Sequence, residues 1–363
     1  MGKARFIYQN HIPDEDAFTV SSLQPGQVTA ALKDGSGSAS ITVSGSFTGA
    51  VDKEYVIEID SIAGGAEVGQ ATFKWSDGGG SWNASAVTTP SAPTELNSGV
   101  KVAFSSGDGA DFVVGDRWYF KGINLFNAGK LIDLNRDSRY RSGSLEEPNT
   151  IDADMGSDQS VLVVVIFDHN FTSGAAISIS GDSASTFDSG IGGAPEYSES
   201  IVWNEDGIVH YMTTPSTYRY WRLSVEDTSN SDGYIEIGEL LIGSYAELSR
   251  NYNYEFSRSQ GFIFTQNETA MGIRRARYYN ARRIIEINQT YLTLSDISKL
   301  ENMAETLNSK SAGTMKPFYF NFDSAVPNDT FMVQLTGLAR ERAGTAAELY
   351  HSPMTLEEVI KSD

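Results

Sequence analysis

The chain has 363 residues, 40% of them hydrophobic and 11% aromatic, with 47 acidic against 27 basic side chains and a formal charge of -20. The length exceeds one ordinary core, so two or three domains are expected, and the acidic balance argues against sequence-specific nucleic-acid binding, which needs a basic face. Absence of cysteine excludes disulfides, thiol nucleophiles and thiolate metal sites, and no apolar run approaches the roughly 20 residues of a membrane helix.

Residues 4–32 open with a short apolar strand and pass an acidic turn, and 33–40 (KDGSGSAS) reads as a flexible connector. Residues 41–121 read as a compact all-β module, with strands near 41–47, 55–62, 69–75, 100–104 and 117–121 separated by Gly and Pro clusters. The composition of the first segment resumes at 123–144, followed by 150–156 and the continuous apolar run 161–167, which has strand length. Residues 218–225 and 234–242 alternate in polarity around a turn-rich 227–233, which predicts a hairpin with Trp221, Leu223, Ile235 and Ile237 on its packed face. Further on, Ser295 offers an N-cap, and Ile297, Leu300, Met303, Ala304 and Leu307 follow at helical spacing. Strands return at 317–322 and 331–338. The expected fold class is mainly β: a sandwich of 1–36 plus 122–245, interrupted by an inserted module at 37–121, then a β-rich domain at 246–363 with one helix near 295–309.

Catalytic signals are sparse. There is no G-x-S-x-G elbow and no phosphate-binding G-x-x-x-x-G-K-[ST], and His11, His169, His210 and His351 stand apart from partner motifs, so no catalytic residues are expected. Asp152 and Asp154 lie two apart on a predicted strand, which places them on one solvated face rather than across a sugar. Asp133, Asn135 and Asp137 offer oxygens at alternate positions, but Ser138 and Ser144 stand where an EF-hand needs Gly and Glu; a capped turn is the competing reading. Trp75 and Trp82 flank a Gly-rich tip, and Tyr197 and Trp203 lie in another loop-like stretch; such faces can stack on pyranose rings or can be core anchors. Arg274, Arg275, Arg277, Arg282 and Arg283 make a local basic cluster in an acidic chain, which suits salt bridges between subunits better than nucleic-acid contact.

The segments NRDSRYRS (135–142), IDADMG (151–156) and 218–243, with its DGYIEIGEL wording, together resemble the discoidin, or coagulation-factor type C, galactose-binding-like jelly roll. The resemblance covers 4–32 and 123–245 and implies that 41–121 is a loop insertion. It also implies a structural calcium held by the Asp133, Asn135, Asp137 loop with Glu239 or Glu236 on the last strand; otherwise no cofactor is expected. The wider arrangement is similar to the tail-tip family of long-tailed bacteriophages, the distal tail and baseplate proteins. That likeness implies a structural virion protein made in the host cytoplasm, forming a homo-oligomeric ring, a hexamer, with the tail tube protein on one side and baseplate hub or tail fibre proteins on the other. The alternative is a carbohydrate-binding module that contacts a host surface glycan, with Trp82 as its stacking platform.

Overall fold

A computed structural model describes residues 2–49, 51–78, 80–145, 148–252, 257–268, 274–309, 314–342 and 349–361. The protein is mainly β, a jelly-roll sandwich with a small inserted β unit, followed by a β-rich unit carrying the Leu294–Leu307 helix. Every strand pairing among the described residues is antiparallel, and one sheet takes in thirteen strands.

The jelly roll is built on two long strands, Asn149–Phe167 and Ile208–Glu226, which pair along both halves with irregularities near 154–159 and 161–163. Ile151, Ala153 and Met155 point inward while Asp152 and Asp154 point outward, where they meet Arg222 and Arg219 of the neighbouring strand. The core joins Ile151, Val161, Ile166, Trp221, Leu223, Ile235, Ile237 and Ile242. The hairpin expected at 218–242 does not form. Asn149–Phe167 lies between Ile208–Glu226 and Glu239–Glu247, so the two runs are second neighbours rather than partners. The residues between them are a tethered crossing. The Asp227 carboxylate accepts from the N–H (2.7 Å) and hydroxyl (2.6 Å) of Thr172, and Asn230 Nδ2 donates to the Asn170 carbonyl at 3.0 Å.

The inserted unit has its own core of Tyr55, Ile57, Ile59, Phe73, Trp75, Phe104, Phe112, Trp118 and Phe120. Its larger sheet includes Gln27–Val28 and Leu32–Asp34, both paired with Arg117–Ile123, so it starts ahead of position 37. The stretch read as a flexible connector is tied into this fold. Asp116 accepts from the N–H groups of Ser36 (2.9 Å) and Gly37 (3.2 Å), and Ala39 N–H donates to the Asp111 carbonyl at 2.9 Å.

The third unit runs from Ser257–Glu268 at the sheet edge through Arg274–Leu292, Tyr350–Glu358 and Thr330–Leu338 to Phe318–Asn321. Its helix buries Ile297, Leu300, Met303 and Leu307, as their spacing requires, but its cap is Thr293 rather than Ser295. Thr293 and Asp296 form a reciprocal capping box, which satisfies two otherwise orphaned N–H groups.

The N-terminal strand Arg5–Asn10 joins the sandwich to this third unit. It pairs with Glu239–Glu247 on one side and with Phe318–Asn321 on the other. Alternation then divides its side chains: Phe6 enters the core with Phe318 and Phe320, and Ile7 enters a cluster with Val163, Val165, Leu241, Tyr319 and Met332. Sandwich and C-terminal unit therefore belong to one hydrogen-bonded sheet, with an irregularity between Ile7 and Gln9.

Candidate functional site

The 133–141 loop packs where the sandwich meets the C-terminal unit. Asp133 Oδ1 accepts the N–H of Asn135 at 3.0 Å and Oδ2 accepts the hydroxyl of Ser138 at 2.7 Å, while Asn135 Oδ1 accepts the N–H of Asp137 at 3.1 Å. These are the bonds of a capped turn, with Leu134 in the left-handed region at φ 57. Arg136 forms a two-pronged pair with Asp168 (2.9 and 3.1 Å) and donates to the Val359 carbonyl at 3.0 Å, which ties the loop to the end of the chain. Arg139, only 8% exposed, donates from Nη1 to the carbonyls of Arg136 and Ser138, the latter at 2.6 Å, and its Nε lies 3.5 Å from Glu236 Oε1. Arg141 takes the other Glu236 oxygen at 2.6 Å and is sandwiched between the rings of Phe126 (4.0 Å) and Tyr234 (4.1 Å).

The structure brings Glu239 to this loop, within reach of the Asn135 N–H and of the Asp133 charge. Glu239 is 1% exposed and its Oε1 has no hydrogen-bond partner. Burial, followed by the nearby Asp133 charge, pushes its carboxyl up to about 9, so it carries a proton at neutral pH. It borders a cleft of about 480 Å³ that opens where the N-terminal strand leaves the sheet, beside His11, Leu134, Lys316 and Tyr319. The fully buried Tyr319 hydroxyl is likewise without a partner.

The calcium implied by the family resemblance does not fit this arrangement. Calcium takes six to eight oxygens, yet the Asp133 carboxylate is engaged by the turn and a guanidinium nitrogen sits on two of the loop carbonyls. Among the described residues no group of three or more His, Cys, Asp or Glu is disposed to hold a metal.

The aromatic candidates separate by burial. Trp75 is 7% exposed and stacks near Tyr55 in the module core, so it is no platform. Trp203 packs on the jelly-roll core with its Nε1 donating to the Phe171 carbonyl at 3.0 Å. Tyr197 is half-buried, its hydroxyl bonded to Glu199 and its ring against Trp221. Trp82 alone of the four is exposed, at 42%, with the Lys74 ammonium 4.4 Å from its ring centre. Alternation with Phe73 could have placed Trp75 inside; nothing local distinguishes the other three.

The arginine cluster divides similarly. Arg282 pairs with Glu357 at 2.8 Å and Arg283 with Glu358 at 2.7 Å across adjacent strands, so both neutralise acids of their own chain rather than standing ready for another subunit. The side chains of Arg274, Arg275 and Arg277 lie outside the described residues. Sequence reasoning overlooked Arg139 and Arg141, because an Arg-rich stretch in an acidic chain reads as solvated surface.

No protein-family model matches the chain, and no curated protein matches it. Solved structures of small modules do. A Clostridium perfringens module designated CpGH89CBM32-6 is 19% identical, with 33% of this chain and 86% of the module covered and a TM-score of 0.24. Chitosan-binding module 1 of a chitosanase/glucanase from Paenibacillus sp. IK-5 is 21% identical, with 34% and 88% covered and a TM-score of 0.26. A family 32 carbohydrate-binding module from C. perfringens NanJ, in complex with galactose, is 14% identical, with 34% and 88% covered and a TM-score of 0.25.

Proposed function

We propose that the chain is a non-catalytic adhesion and assembly protein, whose sandwich and inserted module contact carbohydrate while the C-terminal unit holds them in a larger particle. The observation that carries this reading is the sharing of Arg5–Asn10 between Glu239–Glu247 and Phe318–Asn321, which makes the sandwich a rigid extension of the C-terminal unit's sheet. Trp82 supports the carbohydrate contact, since its ring is exposed on the outlying module beside a cation that can bond hydroxyls. Two of the modules reported above are a chitosan-binding module and one in complex with galactose. A glycan array with the full chain and with Trp82→Ala tests it. Saturable binding lost in the variant is expected, and an array without binding would overturn the carbohydrate half.

For the particle we propose the tail tip of a long-tailed phage, with the chain as a ring, a hexamer, between the tail tube and the baseplate hub or fibres. What supports this is the outer edge strand Ser257–Glu268, whose Phe262 and Ile263 are 59% and 37% exposed, a strand suited to pairing with a second copy. Light scattering and negative-stain images should show a closed ring; monomers at every concentration, with tail partners added, would refute the ring.

A further inference from the structure

We propose that Arg139 is the chain's own structural cation, its guanidinium holding together the backbone carbonyls of the 133–139 loop beside the turn to which the family resemblance gives calcium. Several contacts converge on it. Nη1 donates to the carbonyl oxygens of Arg136 and Ser138, two atoms that a turn of this shape aims at a common point and that repel one another unless something positive lies between them. The side chain is buried, and its Nε faces the Glu236 carboxylate at 3.5 Å, which supplies the opposing charge. Gly238 leaves the room: a Cβ built there would lie 2.9 Å from Arg139 Nη1 and 2.8 Å from the Asp168 side chain. The Asp133 carboxylate is already committed, because it holds the Asn135 N–H and the Ser138 hydroxyl.

A guanidinium cannot be deprotonated in a protein and cannot diffuse away. The loop thus keeps its positive centre in any medium, and the neighbouring Glu236 is neutralised by Arg139 and Arg141 without an ion. The loop holds the junction between the sandwich and the end of the chain, through Arg136 to Asp168 and the Val359 carbonyl. A chain built in this way stays assembled where divalent ions are removed.

The test uses the full chain in calcium and in EDTA, followed by thermal unfolding and by equilibrium dialysis against calcium. Unfolding midpoints should agree to within about 1 °C with no calcium retained. A fall of more than about 5 °C in EDTA, restored by calcium, would overturn the proposal, since a resident ion at a hundred times its dissociation constant raises the midpoint by that order. Arg139→Lys and Arg139→Gln supply a second arm. If charge is what the carbonyls require, the Lys variant keeps a midpoint several degrees above the Gln variant and slower amide exchange over 133–142. Equal midpoints and equal exchange in the two variants would show that the charge is immaterial and would sink the idea.

Discussion

Phe6→Ala is the most direct probe of the shared sheet. Phe6 is fully buried, with ring centres 5.2 Å from Phe320 and 6.4 Å from Phe318, so its packing partners belong to the C-terminal unit. Truncating a buried Phe costs about 3–5 kcal/mol, through lost transfer energy and the cavity left behind. At about 2–4 °C per kcal/mol the melting temperature should fall by roughly 6–20 °C. Independent domains would confine that loss to the C-terminal unit, whereas one hydrogen-bonded sheet spreads it to the sandwich. The chain reports on the two separately, because its tryptophans are Trp75, Trp82, Trp118, Trp203 and Trp221, all ahead of position 246. Tryptophan fluorescence then follows the sandwich and the inserted module, and hydrogen exchange over 318–321 and 330–338 follows the C-terminal unit. Both probes should move together. An unchanged fluorescence midpoint alongside faster exchange at 318–338 would refute the claim that the sheet couples them.

Asp296 gives a pH prediction. Burial raises its carboxyl, but bonds from the Ser249 hydroxyl and N–H and from Thr293 outweigh this and bring it to about 2, against an ordinary 3.8. A depressed carboxylate contributes stability above its unfolded value and loses it as pH falls, so about 2 kcal/mol should disappear between pH 4 and pH 2. Asp296→Asn, measured by urea unfolding, should flatten that limb. Gly243→Ala should destabilise by about 2 kcal/mol or more, because its Cβ would lie 1.9 Å from the Gln9 carbonyl oxygen inside the strand pair; a melting temperature within about 2 °C of wild type would count against the register. A double-mutant cycle on Asp152 and Arg222, joined by bonds of 2.6 and 2.7 Å, should give a coupling of about 0.5–1 kcal/mol. The more exposed Arg219–Asp154 pair should show less.

How far the sequence could be read depends on whether a feature is local. The apolar run at 161–167 belongs to a central strand, and the stripe from Ile297 to Leu307 is a packed helix face, because period and burial are properties of neighbouring residues. Trp221 and Leu223 face the core, as their alternation requires. Pairing is different. Alternation states which face a side chain occupies but not which strand lies beside it, so 218–225 and 234–242 read as a hairpin although Asn149–Phe167 separates them. The Gly/Ser stretch 33–40 fails for a related reason: its small residues serve close approach to Asp116, contributed from the far end of the module, and composition alone cannot distinguish that from flexibility. The junction was partly legible, since Glu239 does meet the Asp133–Asn135 turn. What the spacing could not show is that Arg139 turns into the loop and that the charge of Glu236 is matched there.

Glu236 and Glu239 lie three residues apart and meet opposite fates, which yields the last prediction. Glu236 faces two guanidinium groups, whereas Glu239 faces burial and the Asp133 charge, and its carboxyl stands at about 9 against an ordinary 4.5. Between those values the unfolded chain releases a proton that the folded chain retains, so this group makes stability fall as pH rises from 4.5 towards 9, with its full contribution present below 4.5. The slope cannot exceed about 1.4 kcal/mol per pH unit. Glu239→Gln keeps the shape of the protonated acid and has no proton to release, so it removes the slope. From pH 5 to pH 8 the wild type should lose up to roughly 4 kcal/mol relative to the variant in urea unfolding. Parallel pH curves for the two proteins would mean that Glu239 is charged in the fold and would refute its burial as a neutral acid.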